Sequence, residues 1–382
     1  MLRSLIALSR RPPALLAALS LAALACGGAE VSHGGAAPPN AAPAPAAADA
    51  AGDAAGPDDA DPPTTTSAAA EEPGADAPAP LELDPGAADP RTLDAAATTS
   101  IGSAVDGSLR GALRLPRRGP GYVFNPSKRD EARHGTVEMI QALLAAAAAV
   151  ERDLPGSQAV LGELSLPEGG PISGHGSHQA GRDVDVLFFL LGADGEPFAS
   201  KPIPLDPSGA GTEYGDLGDA SDDRPVTIDL PRTWRFVQGL LEFEGAAVQR
   251  IFLVEHLRGL LLEEAARQGA PQATIDLFAD VTCQPGFPHD DHLHIRFFCS
   301  PDDIDAGCAD MAPIYPWHLA RLKAAGRAPA KAKPRSKGSR PKLTSHKEAR
   351  AKAGPMHEDV TAFLDRRAAW VKQPHPGRKY CR

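Results

Sequence analysis

Aromatic residues make up only 5% of the 382-residue chain, and residues 27–97 contain none. That stretch is built of Ala, Pro, Gly, Asp and Glu, with thirteen acidic side chains against one basic. Such a composition cannot bury enough apolar surface to offset the entropy of ordering, so a disordered acidic spacer is expected over 26–97. Long apolar runs are missing too. The N-terminal run "ALLAALSLAALA" (14–25) has twelve residues, and a spanning helix needs about 20. Preceded by Arg3, Arg10 and Arg11, it reads instead as the core of an export signal over 1–25. Cysteine is scarce, at five residues, and no C-x-x-C pair occurs, which argues against a four-thiolate zinc site. There is no G-x-S-x-G elbow, so a serine nucleophile has no support. "PEGGP" (167–171) lacks the lysine and helix of a phosphate loop and reads as a turn.

What remains is a chain of opposed ends around an ordinary middle. The hydrophobic fraction is 42%, inflated by alanine, and the net charge of −10 hides a strongly basic end. Residues 321–382 carry eighteen Lys/Arg against four Asp/Glu. In an exported protein this basic end suits anionic envelope polymers or plain solvation better than nucleic acid. "ALAC" (23–26) resembles a bacterial lipobox, which implies a lipid on Cys26, the alternative being an ordinary signal cut after "ALA" that leaves a free thiol. Gly27 in place of aspartate points to a periplasmic protein tethered to the outer membrane. The other four cysteines predict two disulfides, Cys299–Cys308 across the turn-rich "SPDDIDAG" and Cys283–Cys381 by elimination.

The middle, 98–320, alternates helical and strand periodicity without a repeat. Helices are predicted over 136–154, with Thr136 as N-cap, over 232–243 and over 256–269, ending at Gly269. Strands are predicted over 158–166, 184–191, 248–254 and 292–298. The expected fold is α+β: a small, mainly antiparallel sheet flanked by helices. A basic low-complexity segment over 321–355 and a helix within 356–382 that docks back on the domain complete the organisation.

Five of the twelve histidines fall in two short segments, "GHGSHQAGRDVDV" (174–186) and "HDDHLHIRFFC" (289–299). Alternation along "HLHIRFF" places His292 and His294 on one strand face. His178 sits in a glycine-flanked loop, with Asp185 seven residues later at the start of an apolar strand. A catalytic zinc needs about three protein ligands, and His178, Asp185 and one histidine of "HLH" would supply them. Asp183 shares the face of Asp185 if the strand is already extended there. It either supports the ligands or pairs with Arg182 or Arg296. Ser177 reads as a hydrogen-bonding residue of the same loop.

The H-x-x-G-x-x-x-D of "SHQAGRDVD" (177–185) resembles the zinc signature of the D-Ala-D-Ala metallopeptidases and their lysostaphin/hedgehog-like relatives. "GELSLPEGGPISGHGSHQAGRDVDV" (162–186) together with "HDDHLHIRFFC" is most similar to the penicillin-insensitive murein endopeptidases, over about 120–310. That resemblance implies Zn2+ held by His178, Asp185 and His294, with His292 as catalytic base and His175 and His289 as further active-site histidines. It implies hydrolysis of D-alanyl-meso-diaminopimelate cross-links in peptidoglycan stem peptides. Relatives that act as D,D-carboxypeptidases or dipeptidases use a glutamate three positions before the last zinc histidine. Here Asp291 stands there, an alternative base and the mark of that rival activity. A wall-binding lipoprotein with an inactive site is the non-enzymatic rival.

Overall fold

The structure is a computed structural model that describes residues 80–335 and 346–371. The signal over 1–25, Cys26, most of the acidic spacer and Cys381 lie outside the described residues. No described helix is long and apolar enough to cross a membrane.

The architecture is α+β, as the periodicities imply. Seven strands form the main sheet, in the spatial order Thr282–Cys283, Val248–Phe252, His292–Phe297, Asp183–Leu187, Ala159–Leu161, Tyr122–Phe124, Arg118–Gly119. Two pairings, Val248–Phe252 with Thr282–Cys283 and Tyr122–Phe124 with Ala159–Leu161, are parallel, and the rest are antiparallel. The strand that carries His292 and His294 is therefore internal, between Val248–Phe252 and Asp183–Leu187. Helix Val137–Asp153 packs on helix Leu230–Leu241, where Trp234 is fully buried edge-on to Phe278. Helix Glu255–Arg267 ends just before Gly269, which adopts φ +68°, a left-handed conformation suited to glycine.

Several expected boundaries shift, each for a physical reason. Thr136 does precede the first helix, but its side chain caps nothing; the N–H of Val137 donates to Thr98 Oγ1 instead (3.0 Å). The single strand expected over 184–191 is two: Asp183–Leu187 in the main sheet and Leu190–Gly192 in a separate four-stranded antiparallel sheet. Phe188 and Phe189 turn the corner and are both buried, so the run shows no polar break where the chain changes sheet. Over 158–166 only Ala159–Leu161 is regular strand.

The ordered domain also begins before residue 98. Leu81 packs against the core, Asp84 pairs with the fully buried Arg133 (3.0 Å), and Gln141 donates to the carbonyls of Pro90 and Leu93. Asp89 and Asp94 cap the short 3-10 turns Pro90–Thr92 and Ala95–Ala97. These polar contacts carry no hydropathy signal, which is why composition assigned the stretch to the spacer. The boundary at 321 falls inside helix Pro316–Ala324, and residues 330–332 of the basic segment bond to the backbone of Asp310. Helix Glu358–Val371 is present where its spacing predicts.

Cys299 and Cys308 are disulfide-bonded, as the sequence implies. Cys283 is disulfide-bonded as well.

Candidate active site

Strands Asp183–Leu187 and His292–Phe297 run antiparallel with Asp185 opposite His294, Asp183 opposite Arg296 and Leu187 opposite His292. Directly opposed residues share a sheet face, so this register gathers two carboxylates and two imidazoles on one side. On its other edge Asp185 bonds to residues 162 and 163: the N–H of Gly162 donates to its carbonyl (2.7 Å), and its own N–H donates to the carbonyl of Glu163 (3.2 Å). A Cβ at Gly162 would stand 3.0 Å from that of Asp185, so the close approach needs glycine. The loop before the strand turns through Gly181 at φ +70° and brings in His175 and His178.

Among the described residues, two that are not glycine adopt positive φ, His178 (+67°) and His289 (+52°), and both belong to the site. Such a conformation is uncommon for residues bearing a Cβ and persists only where surrounding contacts enforce it. For His178 those contacts are visible. Its backbone N–H donates to Asp183 Oδ2 (3.0 Å), and its ring Nδ1–H donates to the carbonyl of Leu164 (2.7 Å). With the proton held on Nδ1, Nε2 presents a lone pair to the centre.

Asp185 is that centre. Its Oδ1 lies 3.3 Å from His178 Nε2, 3.5 Å from His292 Nε2 and 3.6 Å from His294 Nδ1. Its Oδ2 lies 3.5 Å from His175 Nδ1. His178 Nε2 and Asp185 Oδ1 are both buried and make no hydrogen bond. Burying unsatisfied polar atoms costs roughly 1–3 kcal/mol each, so two facing orphans mark a place built for a bound group. An imidazole lone pair and a carboxylate oxygen are suitable donors for a zinc-like divalent cation. Among the described residues His175, His178 and Asp185 form a buried or half-buried group of possible metal ligands, all three donor atoms lying within 4.8 Å of one another.

A second ring of partners orients these donors. His175 Nε2 meets Glu163 Oε2 at 2.6 Å, and Lys128 Nζ reaches the same oxygen at 2.9 Å. Burial favours the neutral acid of Glu163, but the hydrogen bonds from His175 and Lys128 outweigh it and hold its pKa down to about 2. His292 donates Nδ1–H to Asp291 Oδ1 (2.7 Å). Burial disfavours its imidazolium, yet the carboxylates of Asp185 and Asp291 prevail and raise it to about 9. His294 Nε2 contacts Ser177 Oγ (3.4 Å) and Asp183 Oδ2 (3.6 Å). His289 donates Nδ1–H to the carbonyl of Phe287 (2.8 Å). Burial and the imidazoles of His292 and His294 push His289 down to about 3, so it is neutral at pH 7 and its Nε2 is an acceptor.

All six residues expected at the site, His175, His178, Asp185, His289, His292 and His294, thus come together. His175, expected beside the ligands rather than among them, stands with His178 and Asp185 in one group of possible ligands. Asp183 fills both of its expected roles at once. It pairs with Arg296 (2.7 and 3.1 Å) and also holds the His178 N–H. Arg182 turns away from it to Asp310 (3.1 Å). Asp291 is committed to His292 rather than standing apart. Glu163 and Lys128 went unnoticed in the sequence. Glu163 stands in "GELSLP", where an acid in a strand-like run carries no motif, and Lys128 lies 47 residues before His175.

Comparison with known proteins agrees with this geometry. A profile of the family described as penicillin-insensitive murein endopeptidase matches residues 100–200, which include Glu163, His175, His178 and Asp185. The penicillin-insensitive murein endopeptidase of Klebsiella pneumoniae subsp. pneumoniae is 28% identical over 222 residues, covering 57% of this chain and 72% of that protein. The enzyme of the same name from Pectobacterium atrosepticum is 29% identical over 221 residues (56% and 70%). That of Yersinia enterocolitica is 26% identical over 224 residues (56% and 71%). These similarities support a peptidase. More closely, the chain is a relative of the penicillin-insensitive murein endopeptidases.

Proposed function

We propose that the protein is a zinc-dependent murein DD-endopeptidase that hydrolyses D-alanyl-meso-diaminopimelate cross-links between peptidoglycan stem peptides. The observation that carries this reading is the meeting of three imidazole nitrogens on one buried carboxylate oxygen, with His178 Nε2 and Asp185 Oδ1 left without hydrogen-bond partners. His178, Asp185 and His294 would hold the ion, with His175 near enough to join them. Zinc bound there supplies Lewis acidity, which acidifies water and polarises the scissile carbonyl.

The chain's own residues account for the proton and the substrate. With a divalent cation neutralising Asp185, the carboxylate that does most to raise His292, the imidazole, its Nδ1–H fixed on Asp291, would be free at Nε2 to take the proton of the attacking water and pass it to the leaving amine. Asp291 orients that imidazole, which removes the main support for a carboxypeptidase with Asp291 as base. His289 presents an acceptor nitrogen, so it orients a substrate N–H and does not stabilise an oxyanion. Glu163 fixes the ring of His175. The signal-like 1–25 and the lipobox at Cys26 support a periplasmic location at the outer membrane, where peptidoglycan is the available substrate.

Incubation of the purified protein with cross-linked and uncross-linked muropeptides, with and without chelator, followed by mass spectrometry, tests the reading. Conversion of dimers to monomers that chelator blocks is the expected result. Loss of a single terminal D-alanine from monomers would assign a carboxypeptidase, and no product from either substrate would leave a wall-binding protein.

A further inference from the structure

Helix Glu358–Val371 lies beyond the basic segment and beyond the residues that the family profile matches. It is nevertheless docked firmly on the domain. The N–H of His357 donates to the carbonyl of Leu217 (2.8 Å), Val360 and Phe363 are buried, and Phe363 packs on Tyr214. Near its far end the ring of Trp370 meets that of His256 edge-on.

Between those anchors Arg367 reaches into the site's second segment. Its Nε donates to Asp290 Oδ2 (2.8 Å) and its Nη2 to Asp290 Oδ1 (2.6 Å), a two-pronged grip on the carboxylate. Trp370 Nε1 adds a longer contact to Oδ2 (3.5 Å). The Asp290 side chain has no solvent exposure. Its carbonyl accepts from Leu205 N (2.8 Å), and the carbonyl of His289 accepts from Val254 N (3.2 Å). Asp290 therefore sits immobilised between His289, which holds a positive φ, and Asp291, which bonds to His292.

We infer that Arg367 is a positioning residue: by neutralising Asp290 it holds segment 289–291 in the conformation that brings Asp291 to His292 Nδ1 and His289 into the cleft. The inference rests on the proposed function for what the positioned residues do, but not for the positioning itself. A buried carboxylate stripped of its cation is strongly disfavoured, so the segment moves until water reaches Asp290. Any such movement pulls Asp291 from its 2.7 Å bond, because the two residues are adjacent. A guanidinium fork fits the carboxylate with two parallel bonds, whereas lysine supplies a single point charge.

The test compares full-length Arg367→Gln, Arg367→Lys, the double variant Asp290→Asn/Arg367→Gln, and Arg366→Gln, an exposed neighbour on the same helix. Turnover of muropeptide dimers is read as separate kcat and KM, and amide hydrogen exchange is followed over residues 286–292. In Arg367→Gln, kcat falls roughly tenfold or more with KM little changed, as expected when a substrate-bound catalytic geometry is disturbed. Exchange over 286–292 rises, Arg367→Lys lies between, and Arg366→Gln matches wild type. The double variant regains part of both readouts because no unpaired charge remains. Exchange over 286–292 that is unchanged in Arg367→Gln would overturn the inference, whether or not the protein turns over muropeptides. Absence of turnover in the wild type with altered exchange in Arg367→Gln would refute the proposed function and retain the positioning.

Discussion

His175 and His178 reach the centre along a loop, whereas Asp185, His292 and His294 reach it along paired strands. The rings of His175 and His178 are oriented by nearby chain, Glu163 and the carbonyl of Leu164. Asp183 and the left-handed Gly181 shape the loop, whose backbone also bonds to Ser100, Ala104 and Arg335. The strand sets His294 by its register with Asp185, with Ser177 and Asp183 at its Nε2, and the turn before it, 289–291, is gripped through Asp290 by Arg367, 77 residues later. The contrast teaches that two segments of similar composition depend on different parts of the molecule. Substitution of the nearby Glu163 probes the first, and substitution of the remote Arg367 probes the second.

The largest expected effect lies where both segments converge. His178→Ala or Asp185→Asn removes a donor on which the others focus, and turnover falls roughly a thousandfold or more, checked with muropeptide dimers at saturating zinc. His292→Ala costs about 10²–10⁴-fold in kcat if it moves the proton, and full activity in that variant would refute the role. Asp291→Asn and Glu163→Gln are the matched probes of the two orienting partners. Each weakens zinc binding or turnover about 10–100-fold, measured by chelator competition and by kcat. If Glu163→Gln left zinc affinity and rate untouched, the role of Glu163 in orienting His175 would be refuted.

Smaller effects sharpen the contrast by leaving chemistry alone. Replacing Cys299 and Cys308 by serine is expected to lower stability by about 2–4 kcal/mol in thermal or denaturant unfolding without altering kcat. Glu138, in the first turn of helix Val137–Asp153, is raised to about 7 by burial and the nearby carboxylate of Asp303. Since its folded pKa exceeds the unfolded value, the unfolded chain loses this proton first, and stability falls as pH rises from about 4.5 to 7. Glu138→Gln is expected to flatten that dependence by on the order of 2 kcal/mol, read from unfolding at pH 5 and pH 8.

Much of the site was legible because its signals are local. H-x-x-G-x-x-x-D fixes His178 and Asp185 within eight residues, and strand alternation alone pairs His292 with His294. Glu163 and Lys128 were not legible, since a carboxylate that orients an imidazole twelve residues away leaves no periodic trace. Arg367 was hidden among eighteen basic residues whose plain reading is solvation. The same logic governs the fold. Helix Val137–Asp153 follows from its apolar period, while the strand break at Phe188–Phe189 is silent because both sides of it are buried. The anchoring of residues 80–97 by Asp84, Asp89 and Asp94 is invisible to composition, which counts those acids as marks of disorder.

The most direct test of the central claim is the zinc content per chain of the wild type and of Asp185→Asn, both equilibrated in the same zinc buffer and measured by elemental mass spectrometry. The account predicts that Asp185→Asn holds one ion per chain fewer than the wild type while keeping its fold by circular dichroism. Equal zinc content in the two proteins would contradict it.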